Sequence, residues 1–206
     1  MSQIFSIHPD NPQARLLRQA AHIIRHGGLV VYPTDSGYAL GCQLADKAAL
    51  NRIRRLRNLD ETHNMTLLCR DLSDLGTYAK VSNAVFRLLK AFTPGPYTFI
   101  LQATSEVPRR MLHPKRRTLG LRVPSNPIAL ALLEELEQPI MSTSLTLPDV
   151  DVSLTEPEAI RDLLGKQVDL ILDGGHCDPD PTTIVDLTSG YPEVVRVGKG
   201  DPKPFE

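Results

Sequence analysis

The stretch VVYPTDSGYALGC, Val30 to Cys42, sets the interpretation of the whole sequence. Leu29 and the first three residues of this stretch form the apolar run LVVY, which is typical of a short β-strand buried on both faces. The run stops abruptly, and a proline, two hydroxyl residues, a carboxylate and a glycine follow: Pro33, Thr34, Asp35, Ser36 and Gly37. A simple turn explains this change. The mouth of a binding site explains it too, because open α/β sheets bind ligands where their strands end.

Strands alternate with helices along most of the chain. Helical spacing and capping residues predict helices over 11–26, 47–57, 71–77, 83–92, 127–136 and 156–164. Short apolar runs predict strands at 29–32, 65–69, 97–101, 118–123, within 139–144, and at 168–172, 183–187 and 193–197. The last two strands are close enough to form a hairpin. We therefore expect a single α/β domain over residues 1–206, with a twisted, mostly buried mixed sheet flanked by helices.

Composition narrows the class of protein. Hydrophobic residues make up 41% and charged residues 23% of the chain, as in ordinary globular proteins. The cysteines Cys42, Cys69 and Cys177 have no disulfide or metal spacing, so we expect reduced thiols. His22 and His26 lack a third ligand nearby, and no metal site is predicted. With no secretory signal and no run long enough to span a bilayer, the expected location is the cytoplasm, without membrane contact.

Positive charge is concentrated in two segments, although the net charge is only −1. The first segment lies on a predicted helix and contains Arg52, Arg54, Arg55 and Arg57. The second is broken by two prolines, which predicts a loop, and contains Arg109, Arg110, Lys115, Arg116 and Arg117. A solvated helix face is an open alternative for the first segment. For the loop, a phosphate or nucleic-acid contact is the favoured interpretation.

Several predicted strands end in hydroxyl or basic residues, and one opens with them. They include Thr34, Arg122, Ser142, Ser144, Thr182 and Arg196. Hydroxyl and guanidinium groups together suit phosphates, carboxylates and ribose. Capping of the following turn is the plainer explanation for any single site. Periodicity alone does not say whether these side chains converge.

In order and spacing, a set of short motifs resembles the YrdC-like family of threonylcarbamoyl-adenylate synthases, and within it the YciO branch most closely. The motifs are YPTDSGYALGC, RIRRLRNLDETHNMTLLC, PGPYTFIL, TLGLRVP, MSTS, VDLILDGG, PTTIVDL and VVRVG. The resemblance implies a YrdC/RibB-like α/β fold with a deep cationic cavity. It also implies a reaction of ATP, with Mg²⁺ as part of the substrate, L-threonine or a related amino acid, and bicarbonate. The products are threonylcarbamoyl-AMP and pyrophosphate, and the final target is tRNA.

The resemblance also assigns residues. It places Thr34, Arg122, Ser142 and Thr182 on the threonine side, and Arg57, Thr118, Ser144 and Arg196 on the nucleotide side. Asp35 and His63 are possible accessory residues. No catalytic residue and no tightly bound metal are assigned.

Two family signatures are altered in this sequence. The Lys-x-Arg signature and its following Lys read Arg57-Asn58-Leu59 and His63, and the Ser-x-Asn signature reads Ser144-Leu145-Thr146. The loss of one charge-assisted hydrogen bond to a triphosphate costs about 1.5–3 kcal/mol of interaction free energy. Weak or altered synthase activity is therefore one hypothesis. The alternative is a non-catalytic protein that binds double-stranded RNA or tRNA through its basic residues: Arg52, Arg54, Arg55, Arg109, Arg110, Lys115, Arg116 and Arg117. A hydrolase or sensor ranks last, because no Ser-His-Asp or Cys-His arrangement is evident.

Overall fold

A computed structural model describes residues 2–60, 62–63, 65–148, 150 and 154–206. Within these residues the chain forms one mixed sheet of ten strands, in the order β1-β8-β2-β3-β7-β4-β6-β5-β9-β10. The strands are β1 Gln3–Ser6, β2 Val30–Thr34, β3 Gly37–Gln43, β4 Thr66–Leu68, β5 Tyr97–Gln102, β6 Thr118–Arg122, β7 Ile140–Ser144, β8 Leu170–Asp173, β9 Thr183–Asp186 and β10 Glu193–Arg196. The predicted α/β fold with a mixed sheet is confirmed.

Six helices are present in the same residues. They are α1 Ala14–Arg25, α2 Lys47–Arg57, α3 Leu72–Tyr78, α4 Asn83–Phe92, α5 Pro127–Leu136 and α6 Pro157–Leu164. All six predicted helices are confirmed, with small shifts at some ends. None of the described helices is long and apolar enough to cross a membrane.

The opening stretch forms a tight antiparallel hairpin of β2 and β3. Thr34 of β2 pairs with Gly37 of β3, so Asp35 and Ser36 form the turn between them. Gly37 has a φ of 96°, a left-handed conformation that glycine adopts without steric cost. The apolar pattern predicts neither β3 nor β1. The last predicted pair is confirmed, since β9 and β10 are antiparallel.

The two faces of the sheet are covered differently. On one face, apolar side chains of nearly every strand pack against α2, α3, α4 and α6 in one large core. On the other face, α1 and α5 cover a smaller core built on β2, β3 and β8. Side chains alternate between faces along a strand. In β7, Met141 therefore joins the large core, while Ser142 and Ser144 point to the second face. The part of that face beside α1 and α5 is the floor of a cavity.

Candidate functional site

The cavity is lined mainly by hydroxyl and cationic side chains. Among the described residues, its walls are Thr34, Ser36, Tyr38, Ala39, Arg57, His63, Thr66, Leu68, Thr98, Arg122, Ser142, Thr143, Ser144, Thr146, Pro181, Thr182, Ile184 and Arg196. These residues come from several strands and from the segments that follow α2 and β7. Positions that are distant in sequence meet because β7, β4, β6, β5 and β9 are neighbours in the sheet.

Most of the site residues implied by the resemblance lie in this one cavity. They are Thr34, Arg57, His63, Arg122, Ser142, Ser144, Thr182 and Arg196. Two others do not line it. Thr118 is buried at the start of β6, four residues before Arg122, which is about 13 Å along a strand. Asp35 contacts Arg122 from the neighbouring turn.

Thr34 is both a turn residue and a cavity residue. Its hydroxyl donates to the carbonyl oxygen of Gly37 at 2.7 Å and accepts from the backbone N–H of Ser36 at 3.1 Å. The side chain is buried. Thr34 and Ser36 therefore belong both to the turn of the β2–β3 hairpin and to the wall of the cavity.

Arg122 is the most deeply buried cation of the site, with its side chain 8% exposed. It donates from Nη1 to Ser36 Oγ at 2.7 Å, and its Nη2 pairs with Asp35 Oδ1. The other oxygen of Asp35 accepts from Ser125 Oγ at 2.9 Å. Burial lowers the pKa of Arg122 to about 10. Its Nε is buried and has no hydrogen-bond partner among the described residues.

Arg57 makes only neutral contacts. Its Nε donates to the carbonyl oxygen of Thr146 at 2.9 Å, and its two other nitrogens donate to the hydroxyls of Thr143 and Thr146. Desolvation lowers its pKa. Helix α2 ends here because Asn58 takes up the left-handed conformation, with a φ of 51°. The guanidinium group thus ties the end of α2 to the segment that follows β7.

Arg196 has a similar environment on the opposite wall. It donates from Nη2 to the carbonyl oxygen of Thr182 at 2.8 Å, and the hydroxyls of Thr182 and Thr98 are 2.9 Å apart. Three guanidinium groups therefore surround the cavity, and in the described part of the chain only Arg122 is paired with a carboxylate. The uncompensated positive charge favours anionic ligands in this cavity.

His63 stands at the cavity wall and is partly open to solvent. Desolvation, followed by the charge of Arg57, lowers the pKa of its imidazole, while Asp60 acts in the opposite direction. The lowered pKa favours the neutral ring, and protonation in acid adds positive charge to the cavity.

Several wall residues are not among the predicted site residues, namely Ser36, Thr66, Thr98, Thr143 and Thr146, although Ser36 and Thr146 lie in motifs discussed above. Alternation within strands is an available signal for two of them. In β4 and β5, Thr66 and Thr98 each precede an apolar residue that belongs to the large core. Thr146 lies beyond the end of β7, where alternation gives no signal, and only the altered Ser-x-Asn signature points to it.

The predicted RNA-contacting residues occupy two different environments. Arg52 is paired with Asp169 at 2.7 Å and donates to the carbonyl of Gln167, so it connects α2 to the body of the protein. Arg54 is half-buried on the same helix, and exposed Arg55 donates to its own helix at Asn51. Arg109, Lys115, Arg116 and Arg117 are exposed in the loop between β5 and β6. The side chain of Arg110 lies outside the described part of the structure.

The three cysteines lie in the interior of the protein. Cys42, Cys69 and Cys177 are buried free thiols, and burial raises the pKa of each. In the described residues, no group of three or more histidine, cysteine or carboxylate side chains could hold a metal ion.

The structure is thus that of an α/β protein whose mixed sheet carries a cationic, hydroxyl-lined cavity on one face. Residues 22–198 match the model of the Sua5, YciO and YrdC family, described as "Telomere recombination", and the chain belongs to this family. It is 61% identical to YciO of Escherichia coli K12 over the full length of both chains, and the crystal structure of E. coli YciO superposes with a TM-score of 0.96.

The names of other relatives mention an activity or a ligand. The threonylcarbamoyl-AMP synthase of Nitrosococcus oceani is 34% identical over 159 residues, which cover 77% of this chain and 85% of the relative. The Sua5 protein of P. abyssi, solved in complex with L-threonine, superposes with a TM-score of 0.85 at 28% identity, over 96% of this chain and 58% of that one.

Proposed function

We propose that this protein binds L-threonine and ATP in the cavity and forms L-threonylcarbamoyl-AMP, with slow turnover, for tRNA modification. The convergence of Thr34, Arg122, Ser142 and Thr182 with Arg57, Ser144 and Arg196 in one cavity carries the proposal. The names of the N. oceani synthase and of the P. abyssi complex with L-threonine support the choice of substrates.

The proposed chemistry has two steps. The amine of threonine attacks bicarbonate, water leaves, and an N-carboxylate forms. One oxygen of this carbamate then attacks the α-phosphorus of ATP, the bond from that phosphorus to the bridging oxygen breaks, and pyrophosphate leaves with the electron pair. Mg²⁺ brought in with ATP shares the phosphate charge. The protein mainly positions the reactants and neutralises their charge.

Each cation has a role in this scheme. Arg122, which lines the cavity, is the cation that we assign to the carboxylate of threonine, and Asp35 partly balances the charge of its guanidinium. Arg57 and Arg196 lack carboxylate partners in the described residues, so they are suited to the phosphates.

The altered signatures explain why we expect slow turnover. Arg57 has to exchange its contacts with Thr143 and Thr146 for contacts with a phosphate. Leu59 packs against the large apolar core and is not among the cavity residues, so its position supplies no cation. A site of this design binds nucleotide but stabilises the transition state less well than one with additional cations.

The test is titration calorimetry of ATP with Mg²⁺, with and without L-threonine and bicarbonate, while pyrophosphate release is followed in parallel. We expect ATP affinity to rise with threonine present, and pyrophosphate to form. R122A should lose the effect of threonine, whereas R87A, at an exposed arginine of α4, should behave as wild type. Binding without pyrophosphate would mean that the pocket is retained without the chemistry. Absence of nucleotide binding would overturn the proposal.

A second candidate function is binding of double-stranded RNA or tRNA by the β5–β6 loop. The observation that favours it is a fixed, exposed basic turn. His113 Nδ1 accepts from the backbone N–H groups of Lys115 and Arg116, and no carboxylate of the described chain pairs with Lys115, Arg116 or Arg117. Such a surface can bind an RNA backbone by charge and shape.

Binding of a tRNA at several salt concentrations tests the second candidate. The variant K115Q/R116Q/R117Q should bind more weakly, with a salt slope reduced by about one unit for each phosphate that is no longer neutralised. The control R15Q/R18Q/K166Q removes three exposed charges elsewhere and should change little. Equal affinity of the two variants would exclude the loop as the RNA-binding surface.

A further inference from the structure

Arg196 reaches the cavity from a weakly supported strand. Strand β10 has four residues and lies at the edge of the sheet, beside β9. The register of this pair shifts between Val194 and Arg196, so Val195 interrupts the ladder as a bulge. A short, bulged edge strand opens readily. The position of Arg196 therefore depends on what holds the chain that follows it.

The segment 197–201, which we call the clasp, is bonded to the start of β9 through one buried hydroxyl. Thr183 Oγ1 accepts from the backbone N–H of Gly198 at 2.9 Å and donates to the carbonyl oxygen of Gly200 at 2.5 Å. Thr183 is 0% exposed. Because solvent does not reach this hydroxyl, water cannot easily replace the two bonds if they are lost.

Two glycines allow the clasp to lie directly on its neighbours. A Cβ at Gly198 would be 2.3 Å from the carbonyl oxygen of Pro181, and a Cβ at Gly200 would be 2.4 Å from Tyr97 Cε1. Between them, the backbone N–H of Lys199 donates to the carbonyl oxygen of Pro181 at 2.8 Å. Pro181 lines the cavity, so the clasp packs against the back of the cavity wall.

Strand β9 has its own support, which does not involve the clasp. It pairs with β5, and the backbone N–H of Thr183 donates to the carbonyl oxygen of Pro96 at 3.1 Å. The hydroxyls of Thr182 and Thr98 are 2.9 Å apart. Loss of the Thr183 hydroxyl should therefore leave Thr182 in place and release the clasp, together with the end of β10 that carries Arg196.

We infer that Thr183 is a positioning residue, which holds Arg196 at the cavity wall through the clasp. Thr183 is not among the residues that line the cavity, and both of its hydroxyl contacts are made to the clasp. The inference rests on the proposed function, which places Arg196 on the nucleotide side. It follows that the nucleotide side depends on Thr183, whereas the threonine side does not.

Calorimetry of two variants at this position tests the difference. T183V removes the hydroxyl at nearly the same shape, and T183S keeps it. In T183V we expect the affinity for ATP with Mg²⁺ to fall by roughly tenfold, because a charge-assisted contact to phosphate is weakened. L-threonine should bind as in wild type, and T183S should retain most of the ATP affinity.

The control is T104V, beyond the far end of β5. Thr104 Oγ1 likewise donates to a carbonyl, that of Thr77 at 2.8 Å, and accepts from a backbone N–H, that of Glu106 at 3.3 Å. T104V should bind ATP as wild type does. Wild-type ATP affinity in T183V, an equal loss in T183S, or an equal loss for L-threonine would overturn the inference.

Hydrogen exchange measured by mass spectrometry tests the clasp without a ligand. We expect residues 194–200 to exchange faster in T183V than in wild type or T104V, while β7 exchanges as before. Unchanged exchange of 194–200 would overturn the inference. If the wild-type protein binds no ATP, the proposed function fails, and faster exchange confined to 194–200 would still support the role of Thr183. Thermal unfolding checks that the variants are folded. If T183V does not fold, G200A, which pushes the clasp off the ring of Tyr97, replaces it with the same expected results.

Discussion

Arg122 and Asp35 form a buried ion pair at the cavity wall, with side chains 8% and 11% exposed. Removing one charge of such a pair leaves the other buried without compensation. We expect D35N to lower the free energy of unfolding by about 3 kcal/mol. Urea unfolding monitored by circular dichroism measures this loss. The substitution keeps the size of the side chain, so a loss of packing does not contribute.

An exposed ion pair in α6 provides the matched control. Asp162 is 72% exposed and lies 3.2 Å from Arg161. Exposed pairs contribute little to stability, so D162N should leave the unfolding midpoint nearly unchanged. If D35N and D162N lowered the free energy of unfolding equally, the Asp35–Arg122 pair would stabilise the fold no more than an exposed pair does.

His63 makes stability depend on pH. Its pKa in the folded protein is lowered by desolvation and then by Arg57, so the unfolded chain takes up this proton at a higher pH than the folded chain. Stability from the neutral ring is present above the unfolded pKa of about 6.5, and it is lost as the pH falls through the folded value. H63Q should therefore lose less stability on acidification than wild type. Unfolding curves at pH 7.5 and 5 measure this difference, and H22Q, at an exposed histidine of α1, is the control. A wild-type slope in H63Q contradicts the assignment.

At the scale of elements, α2 is the helix that delivers Arg57 to the cavity. Its N-terminus is capped by Asp46, whose Oδ1 accepts from the backbone N–H of Ala49 at 2.9 Å. Removal of an N-cap costs about 1 kcal/mol, so D46A should unfold at a lower temperature. D46N retains a capping oxygen and should restore most of the loss. Calorimetric melting of the three proteins tests the assignment, and a D46N melt that coincides with D46A would refute it.

The elements differ in how far the sequence determines them. Helices α4 and α5 have the predicted bounds, because Ser82 and Asn126 cap their first turns and the apolar pattern is local. Strand β3 contains two glycines, and its pairing with β7 joins residues about 100 positions apart in the chain. Strand β1 depends in the same way on β8. Local pattern does not encode such long-range pairing.

In the candidate site, too, the sequence indicates local features but not long-range contacts. Thr34, Ser142 and Thr182 are recognisable as hydroxyls at strand ends, and the resemblance assigns them to a cavity. Their convergence depends on the order of strands in the sheet, which periodicity does not specify. Thr118 is expected on the nucleotide side, whereas Thr98 of the neighbouring strand is the threonine that lines the wall. The two altered family signatures contain Arg57 and Thr146 but do not predict the contact between them, because a guanidinium can reach many acceptors.

At the scale of the whole molecule, protection from solvent should vary across the sheet. Strand β7 lies between β3 and β4, whereas β10 is an edge strand paired only with β9, and Val195 next to Arg196 is 55% exposed. Amide groups of β7 exchange only in large openings, while those of β10 exchange in local ones. We expect hydrogen exchange measured by mass spectrometry to be faster in β10 than in β7. Equal protection of the two strands would mean that a contact covers the β10 edge in solution.

Tyr38 lines the cavity and donates its hydroxyl to the carbonyl of Gly175 at 2.7 Å, and the hydroxyl of buried Tyr32 is 2.6 Å from Ser142 Oγ. The chain contains five tyrosines and no tryptophan. Its ultraviolet emission therefore comes from tyrosine; one of these tyrosines, Tyr38, lines the cavity, and another, Tyr32, contacts the cavity residue Ser142. We therefore expect a ligand that enters the cavity to change the tyrosine fluorescence, which can be measured without attaching a dye.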